Sequence, residues 1–304
     1  MGRFQIGTLE AVLNAHWGDV FHKAKSLSFD GVELGVYGHN YRESEIWLEG
    51  GWEDLRERSE SAAMPILSVC LHTFWTYTFA DPNVANRTTA KQIALQTIWA
   101  CKYLGAKTIL IPVTNPLQLD PEDTAHRWTD ETRAIADEAA RYDIHLALEN
   151  VGRSHIVTGE ETLALLDAID HPSVGAYFDV GNAKMLGSDP IADIQTLKGR
   201  IKQVHIKDPR KDRTPCYIGE GEVDLAGCLN ALVEVDYSGP LVFETPTLND
   251  PMQTAAQNLK TLQNMIESED DLQTASERLG HASTTTTKQY YRRNRTNVTP
   301  LQVS

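Results

Sequence analysis

The sequence is short of positive charge. Its 304 residues include 28 lysines and arginines against 42 aspartates and glutamates, so its formal net charge is −14. A groove that binds nucleic-acid phosphates needs clustered lysine and arginine side chains. This deficit argues against a nucleic-acid partner, although it leaves small anionic ligands open.

Cysteines are also few, and they are scattered. They stand at Cys70, Cys101, Cys216 and Cys228, and no two have the spacing of a zinc or redox motif. We therefore predict four reduced thiols, as in a cytoplasmic protein.

Long apolar runs are missing as well. No run approaches the roughly 20 residues that a membrane-spanning helix needs. The N-terminal segment MGRFQIGTLE lacks the charged and then apolar pattern of a signal peptide. We therefore expect a cytoplasmic protein without a membrane partner.

The sequence does contain a regular series of short apolar runs, separated by segments with helical patterns. Runs that are apolar almost throughout are typical of parallel strands buried on both faces. Eight such strands, each followed by a helix, predict an α/β fold of the (β/α)8 TIM barrel type. The predicted strands span residues 4–7, 31–34, 66–71, 108–112, 144–149, 174–179, 201–206 and 241–244.

The last four strands each end on or near a side chain that can bind a metal. These side chains are Glu149, Asp179, His205 and Glu244. The carboxyl ends of parallel barrel strands meet at one mouth, so we expect the four to converge on one ion. Three carboxylates and an imidazole suit Mn²⁺, Mg²⁺, Co²⁺ or Zn²⁺, and the sequence does not choose among them.

Such a site suggests proton-transfer chemistry. A divalent ion there would polarise a carbonyl or hydroxyl oxygen of a bound substrate. Glu149 and Glu244 could then act as a pair, one removing a proton beside the carbonyl. The other would return a proton to the opposite face in an epimerisation, or to the neighbouring carbon in an aldose–ketose isomerisation. A single acid at a strand end is more often a salt-bridge partner, but four successive ones favour the metal site.

Five further residues are candidate substrate ligands, and each has a structural alternative. Glu33 and His72 end the second and third strands, where they contact substrate or fill the barrel rim. Asn182, three residues after Asp179, touches substrate or caps a helix. Lys207 and Arg210 follow His205 closely; Arg210 holds substrate oxygens or pairs with a neighbouring acid.

Weaker candidates surround this set. Asp208 either orients a ligand or pairs with Lys207 or Arg210. His155 lies in the loop after the fifth strand, within possible reach of a substrate. The aromatic residues after the third strand either wall a sugar pocket or cap the barrel; they are Trp75, Tyr77 and Phe79.

Several motifs resemble the sugar phosphate isomerase/epimerase family, the xylose isomerase-like barrels. They are ALEN, FDVGN, VHIKD, GEGEVD and the FE of LVFETP. The similarity covers about residues 4–266 and is strongest from residue 144 onward. In that family the four strand-end residues bind one divalent metal and the two glutamates are the acid–base pair. The resemblance thus implies Glu149, Asp179, His205 and Glu244 as metal ligands, with Glu149 and Glu244 catalytic.

The resemblance leaves the reaction and the substrate open. Many ketose 3-epimerases of that family have His where this chain has Asn182, and the family also includes inosose dehydratases and hydroxypyruvate isomerases. We expect an isomerase or epimerase acting on a small sugar, sugar phosphate or polyol. The alternatives are an inosose-type dehydratase at the same site and a non-catalytic sugar-binding protein. No cluster of lysines and arginines at a strand end indicates a phosphate site. Relatives often form dimers or tetramers, so a homo-oligomer stays open.

The character of the chain changes near Ser268. An acidic segment, ESEDD, precedes a threonine-rich and mostly basic stretch. Within it, RLGHASTTTTKQYYRR resembles the C-terminal end of tyrosine recombinases (phage-type integrases), with His281 nine residues before Tyr290. Because the preceding domain has a different fold, we predict a fused remnant without recombinase activity. The predicted domains are therefore a TIM-barrel isomerase/epimerase domain, 1–268, and a recombinase-like tail, 269–304.

Overall fold

Eight short parallel strands pair in chain order and close into a barrel, as the sequence predicts. The structure is a computed structural model and describes residues 4–278. The last strand closes the ring against the first, where Phe243 lies beside Thr8. The strands are β1 (Ile6–Leu9), β2 (Gly31–Gly35), β3 (Ile66–Cys70), β4 (Thr108–Pro112), β5 (His145–Glu149), β6 (Val174–Asp179), β7 (Ile201–Ile206) and β8 (Leu241–Phe243).

Helices cover the outside of this barrel. Because one face of each strand fills the barrel interior and the other packs under helices, nearly every strand residue is buried. The apolar runs of the sequence follow from this double burial. The described helices are α1 (Val20–Ser26), α2 (Gly51–Ala62), α3 (Val84–Leu104), α4 (Pro121–Arg141), α5 (Gly159–Ile169), α6 (Val180–Met185), α7 (Pro190–Thr196), α8 (Leu225–Glu234) and α9 (Pro251–Arg278).

The start of the barrel differs from the prediction. The first strand lies two residues later than expected, and the first α-helix does not follow it directly. A 3₁₀ turn, Glu10–Leu13, follows β1, and α1 begins only at Val20. Asn14 adopts the left-handed conformation, with φ of 44°, which ends the first turn.

Side-chain caps fix where the long helices begin. Asp120 caps α4 by accepting from the N–H groups of Glu122 and Asp123. Asn83 caps α3 by accepting from the N–H of Ala85. The carboxylate of Asp81 accepts from Asn83 and Asn86, so it holds the turn before the helix.

The last helix crosses the predicted domain boundary. α9 packs on the barrel through Ala255, Leu259, Leu262 and Ile266, which are buried. It continues unbroken to Arg278, so residue 268 lies within a helix. The recombinase-like residues His281 and Tyr290 lie outside the described residues.

Hydropathy separates these helices from membrane spans. Within residues 4–278, none is both long and apolar enough to cross a membrane.

Candidate metal centre

The four predicted metal ligands converge at the carboxyl ends of β5 to β8. One ligand atom from each of Glu149, Asp179, His205 and Glu244 lies within 4.8 Å of the other three. Glu149 and Asp179 are the last residues of their strands, and Glu244 directly follows β8. The register of β6 and β7 pairs Asp179 with His205, which brings these two side chains to the same level.

The imidazole of His205 lies at the centre of this cluster and has no exposed surface. Its Nδ1 is 3.3 Å from Glu149 Oε1, 3.5 Å from Glu244 Oε2 and 3.9 Å from Asp179 Oδ2. One nitrogen and three carboxylates therefore face a common point.

Two buried oxygens test whether these residues fit a cation. Asp179 Oδ2 and Glu244 Oε2 have no hydrogen bond of regular geometry, but both already lie beside the ammonium of Lys207. The other oxygen of Asp179 accepts from the N–H of Asn182 at 2.8 Å, so Oδ2 is the oxygen that faces the cluster. Buried carboxylates need positive charge close by, and a metal ion would add to the charge that Lys207 supplies. The donor set of three oxygens and one nitrogen therefore fits one divalent ion.

A buried carboxylate supports the histidine from the other side. His205 Nε2 lies 2.8 Å from Glu33 Oε1. Glu33 Oε2 accepts from the hydroxyl groups of Ser68 (2.6 Å) and Tyr177 (2.8 Å). Because these donors orient Glu33 as an acceptor, a ring proton is held on Nε2, and an ion in the cluster would take the place of the proton on Nδ1.

This placement differs from the sequence expectation for Glu33. The residue is the third of the five in β2 and is fully buried inside the barrel. Its carboxylate contacts His205 and does not face the cavity at the mouth. These contacts orient the imidazole of His205.

The two glutamates of the cluster have opposite electrostatic surroundings. Burial raises the pKa of Glu149 to about 7, an effect that the hydrogen bond with His205 offsets only in part. Burial also acts on Glu244, but the charges of Lys207 and His205 outweigh it and hold the pKa of that carboxyl below its usual range. A cation in the cluster would favour the ionised form of both.

Lys207 is the cation closest to these carboxylates. Its Nζ lies 2.5 Å from Glu244 Oε2 and 3.1 Å from Asp179 Oδ2. Burial alone would lower the pKa of Lys207, but the two carboxylates outweigh it and raise the pKa above its usual range. Asn182 Oδ1 lies 3.3 Å from the same ammonium, so Asn182 adjoins the centre. The cap of α6 is Asp179, not Asn182.

Asn150 is a supporting residue to which the sequence analysis gave no role. Its side-chain amide accepts from the N–H of Asp179 and donates to the carbonyl of the same residue. Asn182 in turn donates to the Asn150 carbonyl. The ALEN motif, in which Asn150 follows a ligand directly, was the available signal.

Arg210 and Asp208 have contacts away from the centre. Arg210 pairs with Glu220 at 2.7 Å on the exposed rim. Asp208 is buried and accepts from the N–H groups of Gly219, Gly221 and Val223 at 2.8 to 3.0 Å. It therefore holds the GEGEVD loop, and its carboxylate pairs with neither Lys207 nor Arg210.

The remaining candidates divide between the mouth and the core. His72 stacks on Tyr37 with ring centroids 4.6 Å apart, and its buried Nε2 has no partner. Burial lowers the pKa of His72, so its ring is neutral at pH 7. Trp75 is 36% exposed at the rim, whereas Phe79 is fully buried in the core. Both ring nitrogens of His155 are buried without a partner, and burial lowers its pKa to about 4.

A cavity of about 500 Å³ opens beside the metal ligands. Its volume lies within the usual range for small-molecule sites. Glu244, Lys207 and Asn182 line it. Arg213 and Thr214, which the sequence analysis did not single out, also line it.

Comparison with known proteins agrees with this geometry. The model of a family described as the xylose isomerase-like TIM barrel matches residues 21–265. A putative L-ribulose-5-phosphate 3-epimerase SgbU of Escherichia coli K12 is 27% identical over 259 residues, which is 80% of this chain and 89% of that protein. The L-ribulose-5-phosphate 3-epimerase UlaE of Shigella flexneri is 25% identical over 255 residues, 81% and 89% of the two chains. Among solved structures, an L-ribulose 3-epimerase has a TM-score of 0.77 at 18% identity and covers 90% of this chain and 98% of its own.

Proposed function

Because the chain belongs to the xylose isomerase-like TIM barrel family, we propose that it is a divalent-metal-dependent epimerase of a ketose or ketose phosphate. It is an enzyme of the isomerase and epimerase class, and the curated relatives named above are 3-epimerases. The observation that carries the proposal is the convergence of Glu149, Asp179, His205 and Glu244 beside a cavity large enough for a sugar.

The bound ion would supply Lewis acidity, which polarises a substrate carbonyl and makes the neighbouring C–H more acidic. The two glutamates then exchange protons with that carbon. They come from β5 and β8, on either side of β6 and β7, so they can approach a substrate carbon from two directions. One carboxylate takes the proton while the C–H electron pair moves towards the carbonyl oxygen. The other carboxyl group gives a proton to the opposite face and inverts the centre.

Lys207 and His72 complete the proposed site. Lys207 lines the cavity and lies next to Glu244, so its ammonium can donate a hydrogen bond to a substrate oxygen. The neutral imidazole of His72 has a free buried nitrogen for a sugar hydroxyl. Arg210 is not part of the proposed site, because Glu220 already neutralises its guanidinium.

The test is hydrogen exchange with solvent. Ketopentoses and their 5-phosphates are incubated with the protein and Mn²⁺ in D₂O, and deuterium on carbon is read by NMR. We expect incorporation at the carbon beside the carbonyl. Glu149→Gln and Glu244→Gln should each reduce it by about 100- to 10,000-fold, the usual contribution of a general acid or base.

The matched control is Glu220→Gln, which neutralises an exposed glutamate on the rim. This variant should exchange at the wild-type rate. A new enone-type absorbance without exchange at a retained carbon would favour a dehydratase. Sugar binding without deuterium incorporation and without this absorbance would indicate a non-catalytic binding protein.

A further inference from the structure

The amino end of the barrel holds a second cavity, at the opposite end from the metal centre. Its volume is about 290 Å³, close to the lower end of the usual range for small-molecule sites. His145, the first residue of β5, and Lys202, the second residue of β7, both line it. Most of the other lining residues belong to the segments that precede β7 and β8, among them Gly199 and Asp236. None of these residues has a role in the proposed epimerase chemistry.

A β-bulge sets the direction of the Lys202 side chain. The register of β6 and β7 shifts between Ala176 and Tyr177, and Lys202 is the extra residue on β7. Its stem fills the space that a side chain on Gly175 of β6 would occupy. A Cβ at Gly175 would lie 2.6 Å from Lys202 Cγ and 2.8 Å from Lys202 Cε. The glycine therefore makes room for the lysine to lie across β6.

The lysine stem and the imidazole of His145 lie on the same face of the sheet. Gly175 pairs with Ala147 of β5, and paired residues point to the same face. His145 and Glu149 stand two residues to either side of Ala147, so they share this face with it. Because Glu149 points into the barrel, Lys202 and His145 both belong to the barrel interior, at its amino end.

Neither polar group has a partner within residues 4–278. The amine of Lys202 forms no ion pair or hydrogen bond there, whereas Lys107 at the same end pairs with Asp143 at 2.7 Å. His145 Nδ1 is buried and also lacks a hydrogen bond. Burial and the charge of Arg200 lower the pKa of Lys202, and burial and the charge of Lys202 lower the pKa of His145. A neutral imidazole therefore adjoins an amine that gives up its proton more readily than an exposed lysine does.

We propose that Lys202 is a carbonyl-modification site, where a small neutral aldehyde forms an imine with the side-chain amine and His145 transfers the proton. Desolvation of a lysine in this way makes its amine a nucleophile. Asp236 lines the same cavity, and its carboxylate disfavours anionic electrophiles such as acyl phosphates. A neutral hydroxyaldehyde, such as the open-chain form of a short sugar, meets no such repulsion.

The reaction needs no group beyond these two side chains and the aldehyde. The lone pair of the Lys202 nitrogen attacks the carbonyl carbon, and the electron pair of the C=O bond moves to oxygen. His145 passes one proton from the nitrogen to that oxygen. The oxygen then leaves as water with the second nitrogen proton, and the C=N bond forms.

The test is reductive labelling of the full chain with glycolaldehyde and sodium cyanoborohydride near neutral pH. Hydride from the reagent converts each imine to a stable secondary amine, and mass spectrometry of the digested protein gives the initial rate at each lysine. We expect Lys202 to be labelled about 100-fold faster than the exposed Lys211, at the lower end of what a positioned base contributes. Lys107 should also be labelled slowly, because Asp143 pairs with its ammonium.

His145→Gln removes the base and should lower the rate at Lys202 by about 100-fold. His171→Gln is the matched control, because His171 also precedes a strand at the amino end of the barrel but does not line the cavity. It should leave the rate at Lys202 unchanged. Equal rates at Lys202 and Lys211 in the wild-type protein would overturn the modification site, and this comparison needs no variant. A full rate in His145→Gln, or an equal loss in His171→Gln, would overturn the pairing of Lys202 with His145.

Discussion

Among single residues, His205 has a defined contact on each ring nitrogen. Nε2 faces Glu33 and Nδ1 faces the three carboxylates of the metal centre. Both His205 and Glu33 are fully buried, so water cannot replace either partner. The orientation of His205 therefore depends on a carboxylate that is not one of the four candidate ligands.

We predict that Glu33→Gln weakens Mn²⁺ binding by about 10- to 100-fold, as for other partners of metal-binding histidines. The amide can still accept from Nε2 or donate to it, so the tautomer is no longer fixed. Calorimetric titration of metal-free protein with Mn²⁺ measures the dissociation constant directly, without an activity assay. Glu57→Gln, an exposed change on α2, is the control; equal affinities for Glu33→Gln and wild type would contradict the positioning role.

Glu10 gives a prediction for pH. Burial raises its pKa to about 7 from 4.5, and hydrogen bonds such as that from the Gly35 N–H offset this only in part. Between these two values the folded protein retains a proton that the unfolded chain has lost. Stability should therefore fall as pH rises from about 4.5 to about 7, by up to about 3 kcal/mol for 2.5 pH units.

In Glu10→Gln this contribution disappears, because the amide does not ionise. The difference in unfolding free energy between variant and wild type should shift in favour of the variant as pH rises from 4.5 to 8. Urea denaturation at several pH values measures it. If the unfolding free energy changes with pH in the same way in both proteins, Glu10 does not titrate in this range.

Among the elements, the GEGEVD loop depends on one buried side chain. Asp208 accepts three of its backbone N–H groups, and the chain passes so close that Gly221 has no room for a side chain. A Cβ at Gly221 would collide with Oδ1 and the backbone oxygen of Asp208. Gly221 therefore serves close packing against a carboxylate, not a phosphate cradle.

Gly221→Ala should therefore destabilise the protein by about 1–3 kcal/mol, the usual cost of overpacking a filled site. Gly18→Ala is the matched control, because a Cβ there meets nothing within 4 Å. Thermal or urea unfolding should separate the two. If Gly221→Ala matches Gly18→Ala, the close approach is not a constraint in solution.

α9 shows how composition and helix boundaries can disagree. The acidic segment ESEDD changes the charge pattern, but glutamate, aspartate and glutamine are ordinary helix residues. No glycine or proline occurs from residue 252 to residue 278, so nothing local ends the helix there. The tail predicted from residue 269 therefore begins inside α9.

For the whole molecule, the cluster of three carboxylates should link stability to metal. Binding to the folded state alone at 100 times Kd adds about 2.7 kcal/mol. For a domain of this size, that corresponds to a rise in Tm of about 5–10 °C. Scanning fluorimetry with and without Mn²⁺, after treatment with a chelator, measures the shift.

Asp179→Asn should lose most of this shift, because it removes the charge of a fully buried candidate ligand. Asp167→Asn is the control: its carboxylate pairs with Arg200 outside the centre. Equal metal-induced shifts in both variants would contradict the assignment of Asp179 as a ligand.

The sequence by itself determined the barrel and grouped the four residues of the candidate metal cluster. Apolar runs report burial on both faces, and parallel strands bring their carboxyl ends to one mouth, so Glu149, Asp179, His205 and Glu244 could be grouped before any coordinate was known. That conclusion did not require knowing how neighbouring strands align with one another.

Only the tertiary structure decided what surrounds the cluster. Glu33 meets His205 across 172 residues, and this contact depends on barrel closure rather than on any local pattern. The partner of Arg210 and the backbone contacts of Asp208 depend on how one loop folds back on itself. Local periodicity indicates which residues are buried and where strands end, but the partner of a polar side chain is set by the packing of distant segments.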